Sequence, residues 1–307
     1  MKSRTIGIFF AALAGIFWGT YGTFVTFLTR YGFSETTIAA FAPISLIVFF
    51  FVSLMLHDPK GIIPTWQNFV IYFVVGVIGV LGTNLLYAMA INAGVAVGIA
   101  SVISFTNYFL VMVFSRFIWK IRITPMKILS GIAAVVGIAL LLQIWLDLSA
   151  SLTGILLMFG VALTFGISYT LTNVSLENFH SSPDAFYFWI NLIGFILLMV
   201  LDPPGDIVRE IGNIVECFGL TSLMVLVGYC IIPQAACYFC LSRAWAHLDP
   251  PSVVIMFCLD PVVATILGFV LFDQKLSIVQ FCGMAIIFAA LICSQLAERK
   301  QMLDSSS

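Results

Sequence analysis

The chain has 307 residues, 62% of them hydrophobic and 9% charged, with a mean hydropathy of +1.13. That is more apolar surface than a soluble core of this size can enclose, so the composition places the chain in a bilayer. A net charge of −1 argues against a nucleic-acid partner, which would need a basic stripe.

Apolar stretches of about twenty residues, bounded by Lys, Arg, Asp, Pro or Gly, predict ten spans. Runs this uniformly apolar lack the alternation a membrane barrel requires. The first span, 6–29, follows Lys2 and Arg4 and contains Ala12-Leu13-Ala14, a leader-like pattern. Its apolar run continues to Thr29, so a retained helix is expected. This span carries Trp18, Tyr21 and a GxxxG of Gly15 and Gly19, a spacing that serves close packing or a moving gate.

Spans 36–56, 67–90 and 95–116 follow, the last two divided only by Asn92-Ala93-Gly94. Asn84 and Tyr87 fall in the third span; Thr106, Asn107 and Tyr108 fall in the fourth. After 125–145 come 153–175, with Ser168, Tyr169, Thr172 and Asn173, and then 184–201. The eighth span, 218–241, holds Tyr229, Gln234 and Tyr238. The neutral polar groups can hydrogen-bond a substrate or simply tie helices together. Tyr and Trp faces suit a substrate with an amine and an apolar body. Trp66, Trp119 and Trp145 fall at span ends and are read as interface anchors.

The ninth span, 251–272, contains Asp260-Pro261 near its middle, and the tenth is 278–297. Of the fourteen acidic residues, only Asp260 falls deep within a span. A carboxylate at a helix centre costs roughly 2.5–3.5 kcal/mol on insertion scales, so it is expected to face a cavity or a partner. Pro261 frees a backbone carbonyl one turn earlier and permits a bend. Asp260 either shapes a kink or binds substrate and protons in competition.

Seven cysteines crowd the second half, and Cys237-Tyr-Phe-Cys240 has a CxxC spacing, but no His accompanies it at that depth. Ordinary packing is expected, with no metal and no cofactor. His57, His180 and His247 fall at span ends, and no GxSxG, HExxH or phosphate-binding glycine loop occurs. A membrane enzyme is therefore disfavoured, while a channel or scramblase stays open as an alternative.

With a cytoplasmic N-terminus, ten of the thirteen Lys and Arg fall on the inside, including Arg116, Lys120, Arg122 and Lys127 in one loop. The positive-inside rule then puts both termini in the cytoplasm. AGIFWGTYGTFVT, 14–26, lies over VALTFGISYTLTN at a shift of 147, pairing Trp18 with Phe165 and Gly19 with Gly166. SFTNYFLVMVFSRFIWKIRIT, 104–124, lies over FCLDPVVATILGFVLFDQKLS at a shift of 153, the longer loop DPPGDIVREIGNIVECFG making up the difference. The fold class expected is all-α and integral to the membrane: ten transmembrane helices as two inverted five-helix repeats, 1–147 and 148–307. Five is an odd number, so the second copy enters from the opposite face.

Through FWGTYGTF, SRAWAHLDPPSVVIMFCLDP and FVLFDQKLS the chain resembles the EamA-type members of the drug/metabolite transporter superfamily. The resemblance implies ten helices, cytoplasmic termini and movement of amino acids or other small metabolites. It departs from the family pattern in the first repeat, where Ala42-Pro43 stands near a usual arginine and Asn107-Tyr108 near a usual proline. The resulting expectation is a proton-linked exporter of amino acids or similar metabolites in the cytoplasmic membrane, or alternatively a multidrug or other metabolite carrier. No nucleic acid is involved. Substrate contacts are expected from Trp18, Tyr21, Asn84, Tyr87, Tyr108, Tyr169, Asn173, Gln234, Tyr238 and Asp260, with Asp260, Pro261, Gly15 and Gly19 in coupling or gating.

Overall fold

The computed structural model describes residues 2–201, 207–273 and 275–306. Among them nine helices are long and apolar enough to cross a membrane, and Pro125–Leu141 is a shorter tenth. In chain order these are α1 (Arg4–Arg30), α2 (Glu35–His57), α3 (Trp66–Asn92), α4 (Val97–Ile118), α5 (Pro125–Leu141), α6 (Leu152–Asn178), α7 (Pro183–Leu201), α8 (Leu220–Trp245), α9 (Pro250–Phe272) and α10 (Ile278–Leu296).

Local chemistry sets several helix starts. Ser34, Thr65, Thr124, Ser151 and Asp249 each accept a backbone N–H of the first turn, and Pro125 and Pro250 occupy positions where no amide partner is needed. Gly94, at φ +86°, makes the tight turn between α3 and α4. The fifth helix is shorter than expected: it stops at Leu141, and Gln143 adopts a left-handed conformation at φ 48°. The stretch expected as a loop before α8 contains a strongly amphipathic helix, Ile207–Phe218, while residues 202–206 of that stretch lie outside the described residues, as does Gln274 in the FVLFDQKLS stretch.

Contacts between loops and helix ends follow one up-and-down order. Arg4 donates to Gln295 Oε1 at 2.8 Å, so the beginning and end of the bundle meet. On that same face Tyr72 bonds Ser181 at 2.5 Å, Ser53 donates to Asp184 at 2.6 Å, and Lys127 pairs with Asp249 at 3.1 Å. On the opposite face Gln143 donates to Ser277 at 2.5 Å, and Glu210 accepts from the Ser34 N–H at 2.7 Å.

The two halves repeat each other in backbone as well as in order. In α3 the chain widens into a π-helical segment at Gly76–Gly82; in α8 it does so at Cys230–Ala236, an offset of 154 at both ends (76 to 230, 82 to 236). In α4 the helix breaks at Phe105–Thr106, and in α9 a 3-10 segment, Ile255–Cys258, precedes the restart at Leu259. Wide π turns cost hydrogen-bond geometry and recur at functional positions. α5 and α10 cross where a methyl on Gly137 would lie 3.0 Å from the Gly283 carbonyl oxygen, and one on Gly283 2.8 Å from that of Gly137.

Candidate functional site

Between the halves lies a small, partly open cavity of about 80 Å³. Its aromatic walls are Trp18 from α1, Phe165 and Tyr169 from α6, Tyr187 from α7, Tyr238 from α8 and Phe257 from α9. Val75, Gly79 and Val80 bring the α3 π segment to the wall, and Cys237 follows directly after the α8 segment. The α3 segment therefore borders this space, and the α8 segment ends beside it.

The rings hold one another in place. Trp18 stands 5.8 Å from Tyr238 and stacks on Tyr21 at 5.5 Å; Tyr169 stacks on Phe165 at 5.9 Å and on Phe257 at 6.2 Å. Tyr187 accepts the Trp245 indole N–H at 2.9 Å and packs edge-on to Tyr238 at 5.3 Å. Two wall hydroxyls are committed to their own helix: Ser168 donates to the Thr164 carbonyl and Thr172 to that of Ser168, both at 2.7 Å. The wall thus offers aromatic faces more than free hydrogen bonds.

Asp260 is half-buried just outside this lining, one turn past Phe257. Its carboxyl makes no hydrogen bond or ion pair among the described residues, and Tyr87, Tyr169, Cys237 and Cys258 lie within its electrostatic reach. Pro261 has no N–H for the Phe257 carbonyl, and Thr265 instead donates to the Pro261 carbonyl at 2.7 Å.

Of the residues expected to contact substrate, Trp18, Tyr169 and Tyr238 share the wall, Tyr21 backs Trp18, and Tyr87 lies near Asp260. The others stand apart. Asn84 is exposed and donates to its own helix at the Val80 carbonyl, 2.5 Å away. Tyr108 is 1% exposed and points towards α5, its hydroxyl donating to the Lys127 carbonyl at 3.3 Å. Asn173 and Gln234 are buried, and the Asn173 Oδ1 has no hydrogen-bond partner.

Gly15 and Gly19 form a seam instead of a wall. A methyl on Gly15 would lie 2.6 Å from the Met256 carbonyl oxygen, and one on Gly19 would lie 2.6 Å from Val263 Cβ and 2.7 Å from the Asp260 carbonyl oxygen. The GxxxG thus seats α1 on the helix that carries the carboxylate. Cys237 donates its thiol to the Ala14 carbonyl at 3.3 Å, a packing contact between α8 and α1.

Sequence reasoning passed over Phe165, Tyr187 and Phe257. Phe165 was within reach, because the repeat overlay sets it against Trp18 and both line the cavity. Tyr187 sits near the start of an apolar span, where it reads as an interface anchor.

Residues 5–143 and 152–295 match the EamA-like transporter family in two successive copies. The chain belongs to that family. It is a multi-pass membrane protein of a transporter family, with one copy of the family unit on each side of the cavity. A protein crystal structure 14% identical to the chain superposes with a TM-score of 0.75, covering 97% of this chain and 99% of its own, a likeness of fold. No curated protein matches.

Proposed function

We propose that this EamA family member exports amino acids or related small amines with a flat apolar body across the cytoplasmic membrane, by alternating access and in exchange for protons. One observation carries the reading: an aromatic cavity at the junction of two inverted repeats stands beside the only acidic residue found deep in a span, Asp260. Ring faces stack on a planar body and attract a cation, while a carboxylate selects the amine. The excess of Lys and Arg on the face bearing the termini supports cytoplasmic ends. The chain carries no ATP-binding motif, which favours an ion gradient as the energy source.

The test is transport in sealed vesicles against a panel of aromatic amino acids, aliphatic amino acids, polyamines and cationic dyes, with an imposed pH gradient. Trp18→Ala and Tyr169→Ala should each weaken apparent affinity roughly tenfold to a hundredfold, as expected for about 1–3 kcal/mol of lost ring contact. Trp66→Ala should not. Asp260→Asn should abolish accumulation driven by the pH gradient and spare movement of substrate down its own gradient. Transport of dyes in preference to amino acids would support the multidrug alternative, which the apolar lining also accommodates.

A further inference from the structure

Asp260 has a counterpart in the first half. At the shift of 153 that aligns α4 with α9, it falls on Asn107. Asn107 follows the first residue of α4, Val97, by ten positions, as Asp260 follows Pro250 of α9; Asn107 is the first residue after its helix break and Asp260 the second after its own. The seams behind them correspond as well: Gly19 meets Val263 and the Asp260 backbone, and its partner Gly166 meets Leu110, the counterpart of Val263. The two sites therefore share a backbone frame, approached from opposite faces of the membrane.

Their surroundings differ. Asn107 is 7% exposed, and its Oδ1 is buried with no hydrogen-bond partner. Asp260 is half-buried, beside Tyr169 and Cys237 of the cavity wall. Asn107 is thus the more enclosed of the two. In an inverted-repeat carrier the two halves exchange conformations when the cavity turns to the other side. The pocket of Asn107 shows what Asp260 meets after that exchange: a buried carbonyl oxygen without a donor, a place an amide tolerates and an ionised carboxylate does not.

We propose that Asp260 and Asn107 exchange surroundings during transport, so that Asp260 enters the closed position only after a proton or a cationic substrate has neutralised it. This rests on the proton-linked reading above and adds a rule to it: the carrier with an empty, ionised Asp260 does not turn over. Exchange is then obligatory, and leak is suppressed by the cost of closing on a bare carboxylate. Among the described residues no Lys, Arg or His acts on Asp260; the titratable groups within its electrostatic reach are Tyr87 of α3, Tyr169 of α6, Cys237 of α8 and Cys258 of its own helix.

The test needs no substrate. Amide hydrogen exchange, corrected for its intrinsic pH dependence, is followed in the peptides around 107 and 260 of the purified protein at alkaline and acid pH. In the natural protein, acidification should protect the peptide around 260 and expose that around 107. D260N should abolish the shift, and N107D/D260N should restore it with the opposite sign, because the carboxyl now lies in the other half. A double variant that shows no shift, or the original sign, overturns the exchange while leaving the proton-linked reading intact. A D260N protein that keeps the original shift overturns both. Should the double variant not fold, N107C labelled with a membrane-impermeant thiol reagent, read by peptide mass, serves instead. Its labelling should quicken on acidification although thiol reactivity itself falls, and labelling that simply follows thiol reactivity overturns the proposal.

Discussion

In α4 the chain breaks at Phe105–Thr106 with no proline in the helix, and Thr106 closes the turn by donating its hydroxyl to the Ile103 carbonyl at 2.6 Å. In α9 it breaks at the corresponding place over Ile255–Cys258, and there Asp260-Pro261 follows. At the shift of 153 the two interruptions overlap at one residue, 258 on 105, and only the second is followed by a proline. The break therefore belongs to the packing that both halves share, and proline reinforces it without being its cause. What the second half adds is charge: Asp260 at mid-span, and Asp249 at the start of α9 bound to Lys127.

That ion pair is the sharpest difference between the two faces. The Lys127 and Asp249 side chains are 3% and 19% exposed, whereas α10 is tied on the opposite face by neutral bonds, Gln143 to Ser277 and Gln280 to the Leu141 carbonyl at 3.2 Å. Lys127→Met removes this buried pair and should cost up to about 3–5 kcal/mol, less some relief from solvent on the Asp249 side. Gln143→Ala should cost about 1 kcal/mol. Thermal unfolding in detergent reads both, and similar losses would erase the contrast between the faces.

The seams give a smaller effect. A methyl on Gly19 meets backbone and a Cβ at 2.6–2.7 Å, whereas one on its counterpart Gly166 meets the Leu110 Cβ at 3.0 Å. Gly19→Ala should therefore destabilise by about 1–3 kcal/mol and Gly166→Ala by less than about 1 kcal/mol. The reverse order would mean that the α4 seam is the tighter one.

The fold was legible because its signals are long: twenty apolar residues per span and a repeated order leave few alternatives. Close packing was one of two readings open for Gly15 and Gly19, but their spacing did not say that α9 is the partner. The π segments were not legible. Gly76–Gly82 is rich in glycine and Cys230–Ala236 contains a proline, so the two share a backbone without sharing a composition. The cavity was half legible. Aromatic type pointed to Trp18, Tyr169 and Tyr238, but which way a ring faces depends on helix rotation, and rotation put Tyr108 against α5 and Asn84 on the outside.

The smallest effect expected lies where the halves differ most in their loops. The first half joins α2 to α3 through a short 3-10 turn, Pro59–Ile62, while the second has the helix Ile207–Phe218 before α8. Glu210 of that helix caps α2, accepting from the Ser34 N–H, the Ser34 hydroxyl at 3.0 Å and the Thr37 hydroxyl at 2.8 Å. Partial burial alone would raise the Glu210 pKa, but these three bonds together hold it below the ordinary glutamate value. A depressed carboxyl stabilises above its unfolded pKa, and the contribution is lost as pH falls through the folded one. Glu210→Gln should cost no more than about 0.5–1 kcal/mol at neutral pH, given its exposure, and nothing in strong acid. A cost that persists unchanged in acid would show that shape, not charge, makes the cap.

The crossing of α5 and α10 sets a limit on how that pair of helices can change. Gly137 and Gly283 are not counterparts in the repeat, one lying midway along α5 and the other in the second turn of α10, yet each lies against the carbonyl of the other. Backbone atoms of the opposite helix stand in the way at both positions, so trimming a neighbouring side chain would not make room for a methyl at either.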